Sequence, residues 1–107
     1  MISFNDISRL FSVDLEGKFC IEIEFFVKDI PKYQSCWMGK SSDETNKEEY
    51  WFGLVPDGTE AYSFKTFKEF VSAPVFDGKS LKEIWDNVEL WSLDGCDPEE
   101  RIHAYIE

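Results

Sequence analysis

Glu22 and Glu24 stand two residues apart among the alternating apolar side chains Phe19, Ile21, Ile23 and Phe25. A strand projects both carboxylates from one face. Paired carboxylates do general acid–base work where a pocket drives their pKa values apart. Strand surfaces carry such pairs without catalysis, and the structural reading is preferred. The sole histidine, His103, lies close to Tyr105 and reads as a structural imidazole rather than a general base. Asp94, Asp97, Glu99 and Glu100 gather oxygen donors around Gly95. They lack the D-x-[DN]-x-[DN]-G spacing and distal Glu of a calcium loop. Helix capping by Asp97 and solvation account for that cluster more simply than a cation does. Cys20, Cys36 and Cys96 are odd in number, widely spaced and without a C-x-x-C pair. Neither a disulfide framework nor a zinc site is expected from them, but buried reduced thiols in a cytoplasmic protein. There is no G-x-S-x-G elbow, and Asp77-Gly78-Lys79-Ser80 lacks the upstream glycine of a phosphate loop. The expectation is no catalytic residue, no cofactor and no metal.

Aromatic side chains set beside acids are the stronger signal. Trp37, Tyr50 and Trp51 flank the polar stretch 41–49, where Asp43, Glu44, Glu48 and Glu49 outnumber Lys47 and the adjoining Lys40. Strand alternation turns either Tyr50 or Trp51 away from the core. An aromatic anchor ringed by carboxylates suits a protein partner rich in Lys and Arg. The competing reading, preferred on burial habit, packs Trp37 and Trp51 inside.

Composition sets the frame. The 107 residues carry 22 Asp and Glu against 11 Lys and Arg, a net charge of -11, yet 17% are aromatic. Acidic disordered segments are poor in aromatics, so the chain reads as one folded domain, 1–107, with an anionic surface. That field repels nucleic acid, whose binding needs cationic groups, and favours a basic protein. The simpler reading of the charge is a solvated, aggregation-resistant surface. No apolar run reaches the length of a membrane span and no basic leader opens the chain, so a cytoplasmic protein free of membrane is expected.

The periodicity predicts the elements. Asn5 is expected to cap a helix holding Ile7, Leu10 and Phe11. Glu16-Gly17 turns into a strand over 18–27, whose Glu22/Glu24 face also carries Cys20 and Phe26 and is expected to be partly covered. After a connection broken by Pro31, a second strand covers 35–40, and 41–49 is a solvated loop. Strands over 50–55 and 60–64 form a hairpin around Pro56-Asp57-Gly58-Thr59. Thr66/Glu69 and Ser80/Glu83 are two capping boxes opening short helices, separated by an Asp77-Gly78 turn. A strand over 88–93 sets Val88 and Leu90 opposite Glu89, Trp91 and Leu93. Asp97-Pro98 opens a helical turn, after which 102–106 fits helix or strand and a closing strand is expected. The sum is an α+β fold: a small antiparallel sheet of about five or six strands with two or three short helices on one face.

In charge and aromatic load the chain resembles small acidic inhibitors, such as the immunity proteins and antitoxins that neutralise basic nucleases. That profile implies a small cytoplasmic binding module for a basic protein, acting by electrostatic steering and burial of an aromatic anchor. The alternatives are a homodimer or other assembly held by exposed aromatics, and a carboxylate- or metal-dependent enzyme.

Overall fold

Hairpin-length connections and period-two burial organise most of the chain into one antiparallel meander. The computed structural model describes residues 2–15, 20–43, 45 and 47–106. Strands β1 (Cys20–Val27), β2 (Cys36–Ser42), β3 (Glu48–Gly53) and β4 (Ala61–Phe64) follow one another. Helices α2 (Phe67–Ser72) and α3 (Leu81–Ile84) then carry the chain back to β5 (Val88–Leu93), giving the order β4-β3-β2-β1-β5. With α1 (Phe4–Phe11) and α4 (Pro98–Arg101), this is the expected α+β architecture, with five strands and four short helices.

The helices bury one face of the sheet. Ile21, Ile23, Phe25 and Val27 of β1 join Met38, Phe52, Val88 and Leu93 beneath Ile7, Leu10, Phe11, Phe70, Leu81 and Ile84. Phe52 and Phe70 stack at 4.2 Å, and Phe11 meets Phe70 edge-on at 5.5 Å, geometries that satisfy the ring quadrupoles.

Local chemistry explains where the elements begin. Ser3, not Asn5, caps α1: its Oγ accepts from the Asp6 N–H, and the Asp6 carboxylate accepts from the Ser3 N–H, each at 3.0 Å. Ser80 and Glu83 form the full reciprocal box expected, with 3.0 and 3.2 Å bonds. Thr66 makes only half of one, because Glu69 accepts from the Thr66 hydroxyl instead of its N–H. Asp94 and Gly95 both adopt positive φ in a tight turn that pairs Leu93 with Cys96.

Three further expectations are corrected. The solvated loop is shorter than 41–49, since β2 runs to Ser42 and β3 starts at Glu48. Strand β5 does not alternate throughout: Glu24 faces Ser92 while Phe25 faces Leu90, leaving Trp91 unpaired in a bulge. The extra residue lets Leu93 turn inward on the side of Val88. The expected closing strand is also absent from the described residues. After α4, residues Ile102–Ala104 form a 3-10 turn whose Ile102 carbonyl accepts from both Tyr105 and Ile106 N–H. The Tyr105 hydroxyl and Arg101 then tie this segment to Asp94. The expected Glu16-Gly17 turn and Phe19 fall outside the described residues.

Lys40 departs furthest from what its residue type predicts. It is 1% exposed on the helix side of β2 and donates to the carbonyls of Phe11 at 2.8 Å and Val13 at 2.6 Å. The Glu48 carboxylate lies 3.1 Å from the same ammonium, an ion pair outside hydrogen-bonding direction, and the Tyr50 ring sits 5.6 Å away. One buried cation thereby closes the C-terminal end of α1 onto the sheet.

Candidate functional site

The other face of the sheet is built by the same alternation and is open to solvent. Cross-strand register places Cys20, Ser41 and Glu49 in one row, and Glu22, Gly39, Trp51 and Ser63 in the next. A third row holds Glu24, Trp37, Gly53 and Ala61, and Phe26 lies beyond it opposite Glu89. Trp37 is 39% exposed and the bulged Trp91 62%, while Phe26 leans on Trp91 at 5.5 Å between ring centres.

Gly39 makes the centre of this face possible. A methyl group there would collide with the carbonyl oxygen of Ile21 and with the Trp51 ring, so only glycine lets the indole lie across β2. Trp51 is pinned by its Nε1–H, which donates to Ser41 Oγ at 3.0 Å. Glu22 is held from the other side, its N–H donating to Asp94 Oδ1 at 3.0 Å.

Four carboxylates, Glu22, Glu24, Glu49 and Glu89, accompany these rings, and among the described residues no Lys or Arg occupies the same rows. Among the described residues, cations border the face at its ends. Lys28 pairs with Glu89 at 2.9 Å, and Lys47 and Lys65 border Glu49 in a depression at the β2–β3 hairpin.

The residues singled out by sequence divide between the two faces. Trp37, Trp51 and Glu49 share the open face. Tyr50 is the member of its pair that turns inward, against Phe11, Phe67 and Phe70. Glu48 also faces the helix side, toward Lys40. Asp43 orders its own loop, accepting from the N–H groups of Thr45 and Lys47. Glu44 lies outside the described residues. The reading that packed Trp37 into the core is corrected. Glu22, Glu24, Phe26, Glu89 and Trp91 join the face without having been singled out as a binding group. The β1 alternation contained the first three and the β5 alternation set Glu89 and Trp91 opposite Val88; what needed the bulge was the inward turn of Leu93. The Glu22/Glu24 face is partly covered, as expected, though no helix among the described residues lies over it: Cys20, Glu24, Phe26 and Trp51 are half-buried, while Glu22, Glu49 and Ser63 are exposed.

Of the C-terminal acids, Asp94 and Asp97 serve structure. Asp97 caps α4 through the Glu100 N–H at 3.1 Å, and Asp94 accepts from Glu22, Arg101 and Tyr105. Among the described residues, no group of three or more His, Cys, Asp and Glu is placed to hold a metal.

The largest pKa displacements lie away from the open face. Burial first, then the Glu60 and Asp77 carboxylates, push the Tyr33 hydroxyl up to about 12; it donates to both, at 3.3 and 3.2 Å. Burial, reinforced by Glu60, likewise pushes the Cys36 thiol up to about 12. An unfolded chain releases these protons nearer pH ~9 and ~10, so it holds fewer protons than the folded chain above that range. The stability these two groups contribute is therefore full below about pH 9 and is lost as pH climbs toward 12. Urea unfolding at pH ~7, ~9 and ~10.5 checks this, and Cys36→Val is expected to flatten the first part of the fall. Equal stability at all three would contradict it.

These features define a small acidic α+β domain with one sheet face covered by helices and the other bare. Comparison with family models, curated proteins and solved structures returns no match to the chain. No helix among the described residues is long and apolar enough to cross a membrane.

Proposed function

We propose that the protein is a small cytoplasmic binding module that engages a basic protein partner through its open sheet face, without nucleic acid, membrane or cofactor. One observation carries the reading: Trp37, Trp51, Phe26 and Trp91 share that face with four carboxylates and, among the described residues, no Lys or Arg in the same rows. The net charge of -11 steers a cationic partner toward the domain. Exposed rings then supply the buried contact area that holds it. Of the three thiols expected to be buried only Cys36 is, Cys20 being half-buried and Cys96 exposed, but all three are free, which suits a reducing compartment. The role we propose is binding: Tyr33 and Cys36, whose pKa values burial raises, sit among structural contacts, and Lys32, also raised, is engaged by Glu60 and Asp77.

The test is retention of a partner from native cell extract at low salt by the tagged protein and by a Glu22→Lys/Glu24→Lys variant. The wild type is expected to hold a stoichiometric basic protein released by rising salt, and the folded variant to lose it. Equal retention by both would overturn the reading. Glu48 is unsuitable for charge reversal, because a second ammonium beside Lys40 would perturb the fold.

A second reading, self-association, is favoured by the 62% exposure of Trp91 and 36% of Tyr62 on the two outer strands. Sedimentation at rising concentration distinguishes it: a salt-insensitive dimer lost in Trp91→Ala supports it, and a monomer throughout removes it.

A further inference from the structure

Resting on that proposed role of the open face, we infer that what it recognises is arginine, presented as an Arg-x-Arg pair on an extended segment of the partner. A guanidinium can stack its plane on an indole while its N–H edge reaches a carboxylate, whereas an ammonium is a compact, strongly hydrated point charge. The face offers that combination twice. Trp37 stands directly opposite Glu24 across β2 and β1. Trp51 lies over Gly39, whose partner on β1 is Glu22; Ser41 occupies the indole N–H and the Cys20 thiol donates to one Glu22 oxygen at 3.4 Å, leaving the ring and the other carboxylate oxygen to the ligand.

The spacing selects the peptide. Trp37 pairs with Gly53, so Trp51 is its diagonal neighbour, at a separation of about 7–8 Å. Same-side residues of an extended chain repeat every ~6.8 Å, so i and i+2 of a strand-like segment meet the two rings in turn. Beyond them the Phe26–Trp91 pair offers aromatic surface beside Glu89, which is already paired with Lys28. An apolar side chain following the second arginine fits there.

The probes are two blocked peptides, Gly-Arg-Ser-Arg-Gly-Leu and its lysine counterpart Gly-Lys-Ser-Lys-Gly-Leu, titrated into the intact isotope-labelled protein at low salt. The Trp37 and Trp51 indole N–H resonances are followed. The arginine peptide is expected to move both and to bind ~5-fold or more tightly than the lysine peptide. Glu22→Gln and Glu24→Gln should each reduce that preference, while Asp14→Asn, on the loop after α1, should leave it. Equal affinity of the two peptides overturns the inference and leaves the basic-partner reading standing. If neither peptide shifts the indole signals, the inference fails and the open face fails with it as the basic partner's site.

Discussion

Replacing Lys40 by methionine is expected to lower the unfolding free energy by about 3–5 kcal/mol, the range seen when one member of a buried ion pair is removed. The side chain is 1% exposed, and its ammonium satisfies two carbonyls at the end of α1 while neutralising Glu48. Methionine fills similar volume but leaves the Phe11 and Val13 carbonyls without their donor and Glu48 without its counter-charge. The double variant Lys40→Met/Glu48→Leu removes the stranded carboxylate and is expected to recover part of the loss, the carbonyls remaining unpaired. Urea unfolding of the two variants beside wild type measures both terms. A loss below about 1 kcal/mol for Lys40→Met would mean that the clamp contributes no more than an ordinary hydrogen bond.

Gly39→Ala is expected to be nearly as damaging, at about 3 kcal/mol, the upper end of the range for overpacking. The added methyl meets two obstacles of different kinds. The Trp51 ring can swing away at the expense of its bond to Ser41, but the Ile21 carbonyl belongs to the β1 backbone and yields only if the strands separate. Gly39→Ala/Trp51→Ala therefore relieves the smaller obstacle and is expected to regain less than half of the stability lost by Gly39→Ala. The change also disturbs the face, so the Trp51 indole N–H resonance should move in the single variant even where the fold survives. Stability within about 0.5 kcal/mol of wild type would contradict the crowding at this position.

The legible parts of this molecule were those written in local chemistry. The β1 alternation, the hairpin around Pro56-Asp57-Gly58-Thr59 and the Ser80/Glu83 box each depend on residues within a few positions of one another, and each stands in the structure. The α1 cap was missed by two residues because an Asp at the third position serves in place of the usual Glu. Parity required that Tyr50 and Trp51 face opposite ways, but choosing between them depended on long-range partners: Phe70 for the tyrosine, and Gly39 with Ser41 for the tryptophan. The same limit hid Lys40, whose burial depends on carbonyls 27 and 29 residues away in sequence. The Trp91 bulge is a property of the β1–β5 pairing, between segments joined only through the whole intervening chain. Because period-two logic assumes an unbroken ladder, it reversed the direction of Leu93.

The open face carries the account, and its role is separable from net charge alone. Once the basic partner is in hand, the association rate at low salt should be measured for two double variants carrying the same charge change: Glu22→Lys/Glu24→Lys on the sheet face and Asp14→Lys/Glu69→Lys on the helix side. Both weaken the long-range field equally, so any excess effect of the first pair reports local contact. The account predicts that the sheet-face pair slows association by about tenfold or more and the helix-side pair by no more than about threefold. Equal slowing would show that the partner responds to total charge and that the aromatic face is not where it docks.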